Sequence, residues 1–492
     1  MWWQDAVIYQ IYPRSFQDSD GDGIGDLRGI EQRLDHLAWL GVDALWLSPI
    51  YPSPMHDFGY DVADYKGVDP VFGSLADFDS LVAAARERGL RVLLDLVPCH
   101  TSIEHPWFRE HPDWYIWSDA PNNWLSAFGG SAWSRLNGRY YLHSFYPEQP
   151  DLDWRNPEVV AAMQDALHFW IEHGVAGYRV DAIDRLMKDP QLRDDPPASE
   201  PFGLPLSDDE SKLALSNSRN APDTGAALAR IRDAVDDALL VGEVYLPSAK
   251  WQPYLEQLDA AFAFELLHSP WDAGVMRRAI EASTARPGAA WVLSNHDFGR
   301  LVTRFGAENA RAAALLLLTL PGPAFLYQGD ELGLADGPGG ERVYDRAGRD
   351  RFRHPMQWDG SPSGGFTTGE PWLPAVDPAD TNVEAQRDDP RSTLSLVRDL
   401  LALRRLLGNE LELLDVGPGV LAYRRGDHQI AINTSGEGRP VSLRGDAVLE
   451  TTPGALRGHT LAAHSGVITR DDEGVGQPLR GRDKWRRSSS RT

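Results

Sequence analysis

Gly177-Tyr178-Arg179-Val180-Asp181-Ala182 reads as the end of a buried strand, with Val175 and Ala176 leading in and a helix-like run opening near Ile183. A lone Asp at the carboxyl end of a core strand is not a packing residue. Buried without a partner, it would take up a proton rather than stay charged. Arg179 lies two residues earlier and so faces the same side of a period-2 strand, where its guanidinium favours the ionised form of Asp181. An ionised carboxylate beside a fixed cation is a credible nucleophile. A structural Asp–Arg pair is the competing reading of the same six residues.

Working outward, apolar runs alternate with helix-like segments. Strands are expected at Val7–Ile11, Ala44–Leu47, Val92–Val97, the opening stretch, Leu239–Gly242, Ala261–Phe264, Trp291–Ser294 and Pro323–Tyr327. Helices are expected at Ile30–Leu40, Leu75–Arg88, Pro157–His173 and Ala226–Asp237. The third strand is apolar throughout except for Asp95, as a strand covered on both faces should be. Eight strands alternating with helices predict an α/β chain folded as a (β/α)8 TIM barrel. A doubly wound sheet is the alternative, but no GxGxxG opens a first strand-to-helix turn. The barrel is assigned to 1–100 and 149–405. A Trp-, Asn- and Gly-rich insertion fills 101–148, and Asp189–Thr224 reads as a loop or small helical insertion. Short strands at Val416–Tyr423, Gln429–Asn433 and Pro440–Leu443 predict a small antiparallel β domain over 406–470. The polar, basic tail from 471 to 492 is expected to be disordered.

The chain has 492 residues, enough for one large catalytic domain with smaller companions. A net charge of −24 argues against nucleic acid, anionic membranes and polyphosphate substrates, and allows a neutral one. Seventeen Trp supply the flat faces that sugar clefts use. Cys99 is the only cysteine, no signal-peptide pattern opens the chain, and the longest apolar run, Ala312–Leu320, is too short to span a bilayer. A cytoplasmic protein is expected, as a monomer or dimer.

In a barrel of this kind the active site lies at the carboxyl ends of the strands. Those ends carry Cys99 and His100, Arg179 and Asp181, Glu243, and Asn295-His296-Asp297. Converging carboxylates suit a metal site or glycoside hydrolysis, and the neutral-substrate argument and the aromatics favour sugar chemistry. A retaining glycosidase needs an ionised nucleophile and a protonated acid about 5–5.5 Å apart. Asp181 fits the first role. Glu243, on an apolar strand near two Asp, fits the second.

These blocks resemble the α-amylase family, closest to its oligo-1,6-glucosidase and α-glucosidase branch. The resemblance runs from Trp3 to about Trp372 and rests on Asp95–Thr101, Gly177–Asp181, Gly242–Val244 and Ser294–Asp297. Gln149-Pro150-Asp151-Leu152-Asp153 and His354–Asp359 are further markers. It implies that Asp181 attacks the anomeric carbon, that Glu243 is the acid/base, and that Asp297 binds ring hydroxyls. It implies that His100, His296 and Arg179 bind hydroxyls or the nucleophile, and that Asp57 and Arg353 close the non-reducing end of an exo-acting pocket. Tyr60 would stack under the glucose, and Phe145 would line the aglycone side. The substrate implied is a disaccharide or short oligosaccharide. Asp18-Ser19-Asp20-Gly21-Asp22-Gly23-Ile24-Gly25-Asp26 suits a structural Ca2+, held by Asp18, Asp20, Asp22, Asp26 and the Ile24 carbonyl, and the branch also carries such a loop. It is not an EF-hand, since Gly29 stands where the bidentate Glu would be. A metal-free acidic turn is the other reading.

Three positions depart from the family pattern. Cys99 replaces an Asn that helps hold calcium in other α-amylases, so no calcium is expected there. His354 replaces a Thr. Ala182 stands where α-1,6-specific members have Val, and the smaller residue opens room beside the aglycone. The reading is therefore an exo-acting retaining α-glucosidase with an α-1,4 preference, as for maltose. Alternatives are an oligo-1,6-glucosidase, a trehalose- or isomaltulose-forming transglucosylase or isomerase, and, in another class, a non-catalytic sugar-binding relative.

Overall fold

The computed structural model describes residues 1–340 and 345–471. The tail from 472 onward lies outside the described residues. Eight parallel strands close a barrel: β1 (Val7–Ile11), β2 (Ala44–Leu47), β3 (Arg91–Leu96), β4 (Gly177–Val180), β5 (Leu239–Gly242), β6 (Ala260–Phe262), β7 (Ala289–Val292) and β8 (Ala324–Tyr327). They follow one another around the ring, and β1 seals it by pairing with both β2 and β8. All eight are buried almost throughout, which is why they read as apolar runs without alternation. Side chains of Ile8, Trp46, Leu93, Val241, Phe262 and Phe325 fill the interior, so the barrel is a packed core rather than a pore.

Gly177 opens β4 because a Cβ there would sit 2.5 Å from the Leu239 carbonyl oxygen of β5. The chain turns sharply after Asp181. Ala182 adopts the left-handed conformation at φ 44°, which costs a residue with a Cβ about 1–2 kcal/mol.

Several boundaries differ from the sequence expectation. The helix expected over Ile30–Leu40 is two, Leu27–Gln32 and Leu34–Leu40, broken at Arg33. The Arg33 guanidinium turns to Gln17 and lies over Trp358, a tertiary preference that overrides helix continuity. Strand β6 ends at Phe262, and Phe264 already opens a short helix. Strand β7 likewise ends at Val292, short of the expected Ser294. In both places the apolar run continues past the last ladder hydrogen bond, and hydropathy alone does not mark that point.

Between β3 and β4, a three-stranded sheet of Trp117–Ser118, Arg139–Leu142 and Trp133–Leu136 packs on Trp124 and Trp133. After the barrel, Glu412–Leu414, Val420–Arg425, His428–Asn433, Gly466–Arg470 and Asp446–Glu450 form a five-stranded antiparallel sheet. The expected strand at Pro440–Leu443 is only the bridge pair Arg439–Pro440. No helix among the described residues is long and apolar enough to cross a membrane.

Candidate active site

The parallel register carries the chemistry to one level. Asp95 of β3 lies opposite Arg179 of β4, and Arg179 opposite Val241 of β5. Just past the strands, the Asp181 amide donates to the Leu96 carbonyl and the Glu243 amide to the Val180 carbonyl, each at 2.8 Å. Asp181 and Glu243 thus stand side by side at the barrel mouth.

One fully buried guanidinium serves three carboxylates. Arg179 Nη1 donates to Asp95 Oδ1 at 2.6 Å and Asp181 Oδ1 at 2.5 Å, and Nη2 pairs with Glu243 Oε2 at 2.7 Å. Burial raises Asp181 to about 7, and Asp95 adds to the rise. Arg179 opposes it without cancelling it, because its charge is shared with Asp95 and Glu243. The contact with Arg179 thus favours the ionised form of Asp181 against its burial. Burial likewise lifts Glu243 to about 8, Arg179 again opposing and Asp181 and Asp297 adding. Glu243 is the group that holds its proton longest.

Asp297 is set the other way. Burial works against its charge, but His296 Nε2 at 3.2 Å, Arg349 Nη1 at 2.8 Å and Arg353 Nη2 at 3.3 Å face its oxygens. The His296 ring is itself pushed down to about 3 by burial and is neutral at pH 7. The two guanidiniums therefore keep Asp297 ionised, well below the usual carboxylate range.

The pocket holds about 510 Å³ and is bordered by Asp57, Tyr60, His100, Phe145, Asp181, Glu243 and Asp297. Tyr60 stacks on His296 with ring centres 5.2 Å apart and donates its hydroxyl to Asp95 Oδ2 at 3.0 Å. His100 Nε2 meets Gln149 Nε2 at 3.0 Å, and Gln149 also donates to Asp57 Oδ2 at 3.0 Å. Phe145 packs on His100 and lies under Arg185. Arg179, His296 and Arg353 stand behind this lining, with almost no exposure.

The expected closing pair is corrected. Asp57 bonds Arg349, not Arg353, and Arg349 reaches on to Asp297. Arg353 is turned inward, donating to the His296 carbonyl at 2.9 Å and supporting Asp297 from the rear. Arg349 was not singled out from sequence, and Gln149 and the third carboxylate on Arg179, Asp95, were noted only as parts of motifs, with no role in the site. An Asp inside an otherwise apolar β3, in register with the β4 arginine, was the available signal for the last.

Of the expected metal ligands, Asp18, Asp20 and Asp22 bring carboxylate oxygens within 4.8 Å of one another. These hard oxygen donors fit a Ca2+ ion. Asp26 stands apart from that group. Its oxygens accept from the Gly29 amide at 2.8 Å and the Ser19 amide at 2.7 Å, capping the helix that follows. Ile24 follows in the same loop and donates its amide to Asp22 Oδ1 at 2.8 Å. At the other site considered, the buried Lys188 ammonium pairs with Asp151 and lies 3.5 Å from Cys99 Sγ, placing a cation of the chain's own beside Cys99.

Comparison with known proteins agrees with this geometry. Residues 10–409 match the family model for the alpha amylase catalytic domain. A probable alpha-glucosidase of Rhizobium meliloti is 40% identical, over 86% of this chain and 87% of its own. The oligo-1,6-glucosidase of Parageobacillus thermoglucosidasius is 35% identical, over 92% and 93%. The crystal structure of an alpha-glucosyl transfer enzyme, XgtA, superposes with a TM-score of 0.88 at 39% identity, over 95% of this chain and 99% of that one. A closed parallel barrel, carboxylates gathered at its carboxyl-end mouth and a match spanning most of the chain place this protein in the alpha-amylase family, in its glucosidase branch.

Proposed function

We propose that the protein is an exo-acting retaining α-glucosidase that releases glucose from short α-glucosides. The observation that carries this is the placement of Asp181 and Glu243 on the two arms of one guanidinium, in a pocket whose far end is shut by Asp57 and Arg349. Asp181 attacks the anomeric carbon, the glycosidic C–O bond breaks, and Glu243 gives its proton to the departing oxygen. Glu243, now ionised, takes a proton from water, which attacks the same carbon and releases Asp181. Asp297, held ionised, accepts hydrogen bonds from ring hydroxyls of the distorted sugar. The Asp57–Arg349 pair blocks a longer chain beyond the cleavage point, which favours release of single glucose units.

Ala182 borders the pocket beside the nucleophile and leaves the aglycone side open, supporting a preference for α-1,4 links such as that of maltose. A second reading, net glucosyl transfer, is favoured by the likeness to the solved transfer enzyme and by an acceptor half bordered by Phe128, Phe145, Pro205 and Leu206. Such a wall excludes water in favour of a sugar acceptor. The oxygen-rich loop of Asp18, Asp20 and Asp22 supports a structural Ca2+ that holds that loop. The absence of any candidate disulfide around the single buried Cys99 fits a cytoplasmic enzyme.

Time-resolved product analysis on maltose, isomaltose, sucrose and trehalose tests this, with Asp181→Asn as control. Maltose is expected to yield glucose fastest. New disaccharides appearing at low substrate would favour transfer, and undiminished turnover by Asp181→Asn would remove the nucleophile assignment.

A further inference from the structure

Behind the wall that closes the catalytic pocket lies a second cavity, of about 900 Å³. The two share a partition and, among the described residues, no lining residue. Asp57 and Arg349 face the catalytic side. Their chain neighbours His56, Phe58 and Asp350 face the other.

The second cavity holds two charged groups whose hydrogen-bonding capacity is unused. The Arg14 guanidinium is enclosed by aromatic faces, 5.6 Å from the centre of Phe58 and 5.4 Å from that of Trp372. Among the described residues it has no hydrogen bond and no ion pair. Asp350 is buried, yet its Oδ1 accepts no hydrogen bond, and the nearest cation among the described residues, Arg353 Nη1, is 3.9 Å away. Leaving a buried donor or acceptor unpaired costs about 1–3 kcal/mol. Asp350 Oδ1 is such an acceptor, and the half-buried Arg14 brings donors without a protein partner to the same cavity.

The backbone of the partition is also strained. Met55 and Phe58, at φ 66° and 45°, both adopt the left-handed conformation, and both border this cavity. Strain at a bulky residue persists where the surroundings impose it, and it clusters at ligand sites. Trp372 is fixed by donors at both ends. Its amide bonds the Gly23 carbonyl at 3.0 Å, and its indole N–H bonds Ser15 Oγ at 3.1 Å. The ring is thus held as a rigid face.

We infer that this cavity is a second saccharide-binding site, in which Arg14 and Asp350 hydrogen-bond hydroxyls of a neutral mono- or disaccharide and the adjoining rings of Phe58 and Trp372, with centres 5.9 Å apart, line one side of its ring. A donor of fixed charge, an acceptor carboxylate and two aromatic faces are what a polyol with one apolar face requires. The opposed charges of Arg14 and Asp350, with Arg346 already paired to Glu148, disfavour an anion. The inference rests on the glucosidase reading only for the choice of probe.

The test is calorimetric titration of maltose into wild-type enzyme saturated with deoxynojirimycin, which fills the catalytic pocket. One further binding event is expected. It should weaken at least tenfold in Arg14→Met and in the near-isosteric Asp350→Asn, while deoxynojirimycin inhibits Arg14→Met as it does wild type. Absence of maltose binding to the blocked wild-type enzyme would overturn the inference. So would binding that survives both substitutions, or inorganic phosphate displacing maltose. Failure of deoxynojirimycin to inhibit would strike the glucosidase reading instead. The loss of maltose binding in Arg14→Met would still decide the second site, since Arg14 does not border the catalytic pocket.

Discussion

Replacing Glu243 by Gln keeps the shape of the acid/base and removes its proton, so the consequences follow from the two carboxyl groups. With Glu243 lifted to about 8 and Asp181 raised less far, the productive form, Asp181 ionised and Glu243 protonated, is most abundant between the two titrations, below pH 8. Wild-type kcat/KM should trace a narrow bell, falling roughly tenfold per unit on either side. In Glu243→Gln the alkaline limb should disappear, because nothing remains to ionise there. The acid limb should stay near 7, since Glu243 is already neutral at that pH in the wild type. Turnover of maltose should fall by about 10²–10⁴-fold, the usual worth of a positioned general acid. Glucosyl fluoride needs no protonated leaving group and so does not depend on the general acid, and its glucosylation step should lose far less, about tenfold or under. The glucosyl-enzyme should then accumulate, because no base activates water, and added azide should release it as the α-glucosyl azide. Stopped-flow burst amplitudes and pH profiles on the two substrates measure all of this. A bell that survives in Glu243→Gln, or an equal loss on maltose and the fluoride, would refute the assignment of the acid/base.

Further outcomes are expected elsewhere. Arg349→Ala leaves the buried Asp57 carboxylate without its cation and Asp297 with Arg353 alone, a loss of about 3 kcal/mol. It should lower kcat/KM on maltose at least 100-fold and yield products longer than glucose from maltohexaose, read by chromatography. Glu243 carries its raised value only when folded, so the folded state binds the proton more tightly. That contribution to stability is present below the ordinary carboxyl range and is lost as pH climbs toward about 8. Glu243→Gln should accordingly melt higher than wild type at pH 8.5, with the difference vanishing near pH 4. Ala182→Val adds a β-branched side chain at φ 44°, and the maltose-to-isomaltose ratio of kcat/KM should drop about tenfold, for 1–2 kcal/mol of crowding and strain. Asp20→Asn, or prolonged chelation, should lower the melting temperature by several degrees and leave the pH optimum unmoved. A shifted optimum would place the ion at the chemistry instead.

The barrel was legible because its strands are mostly apolar runs, and in two of them the next polar residue is a reacting group. Asp181 and Glu243 follow Val180 and Gly242 directly. Strand ends were less legible at β6 and β7, where Ala263 and Leu293 stay apolar after the ladder has stopped. The break at Arg33 has no local signal, because its cause is Trp358, more than 300 residues away in sequence. The closing arginine was misread for a related reason. Arg346, Arg349, Arg351 and Arg353 crowd one aperiodic loop, and sequence does not say which turns outward. That is settled by Asp345, whose side chain accepts from the Arg349 amide at 2.8 Å and so shapes the turn.

The sharing of Arg179 by three carboxylates has a consequence for how the reaction proceeds. When the glucosyl ester forms, Asp181 loses its negative charge in the same step in which Glu243 gains one. The charge leaves the Nη1 side of the guanidinium and arrives at the Nη2 side, and the total around the cation does not change. Hydrolysis of the ester sends it back. The cation works as a fixed pivot across which one negative charge shuttles, so neither half-reaction needs water to enter, or a side chain to swing, to accommodate a new charge.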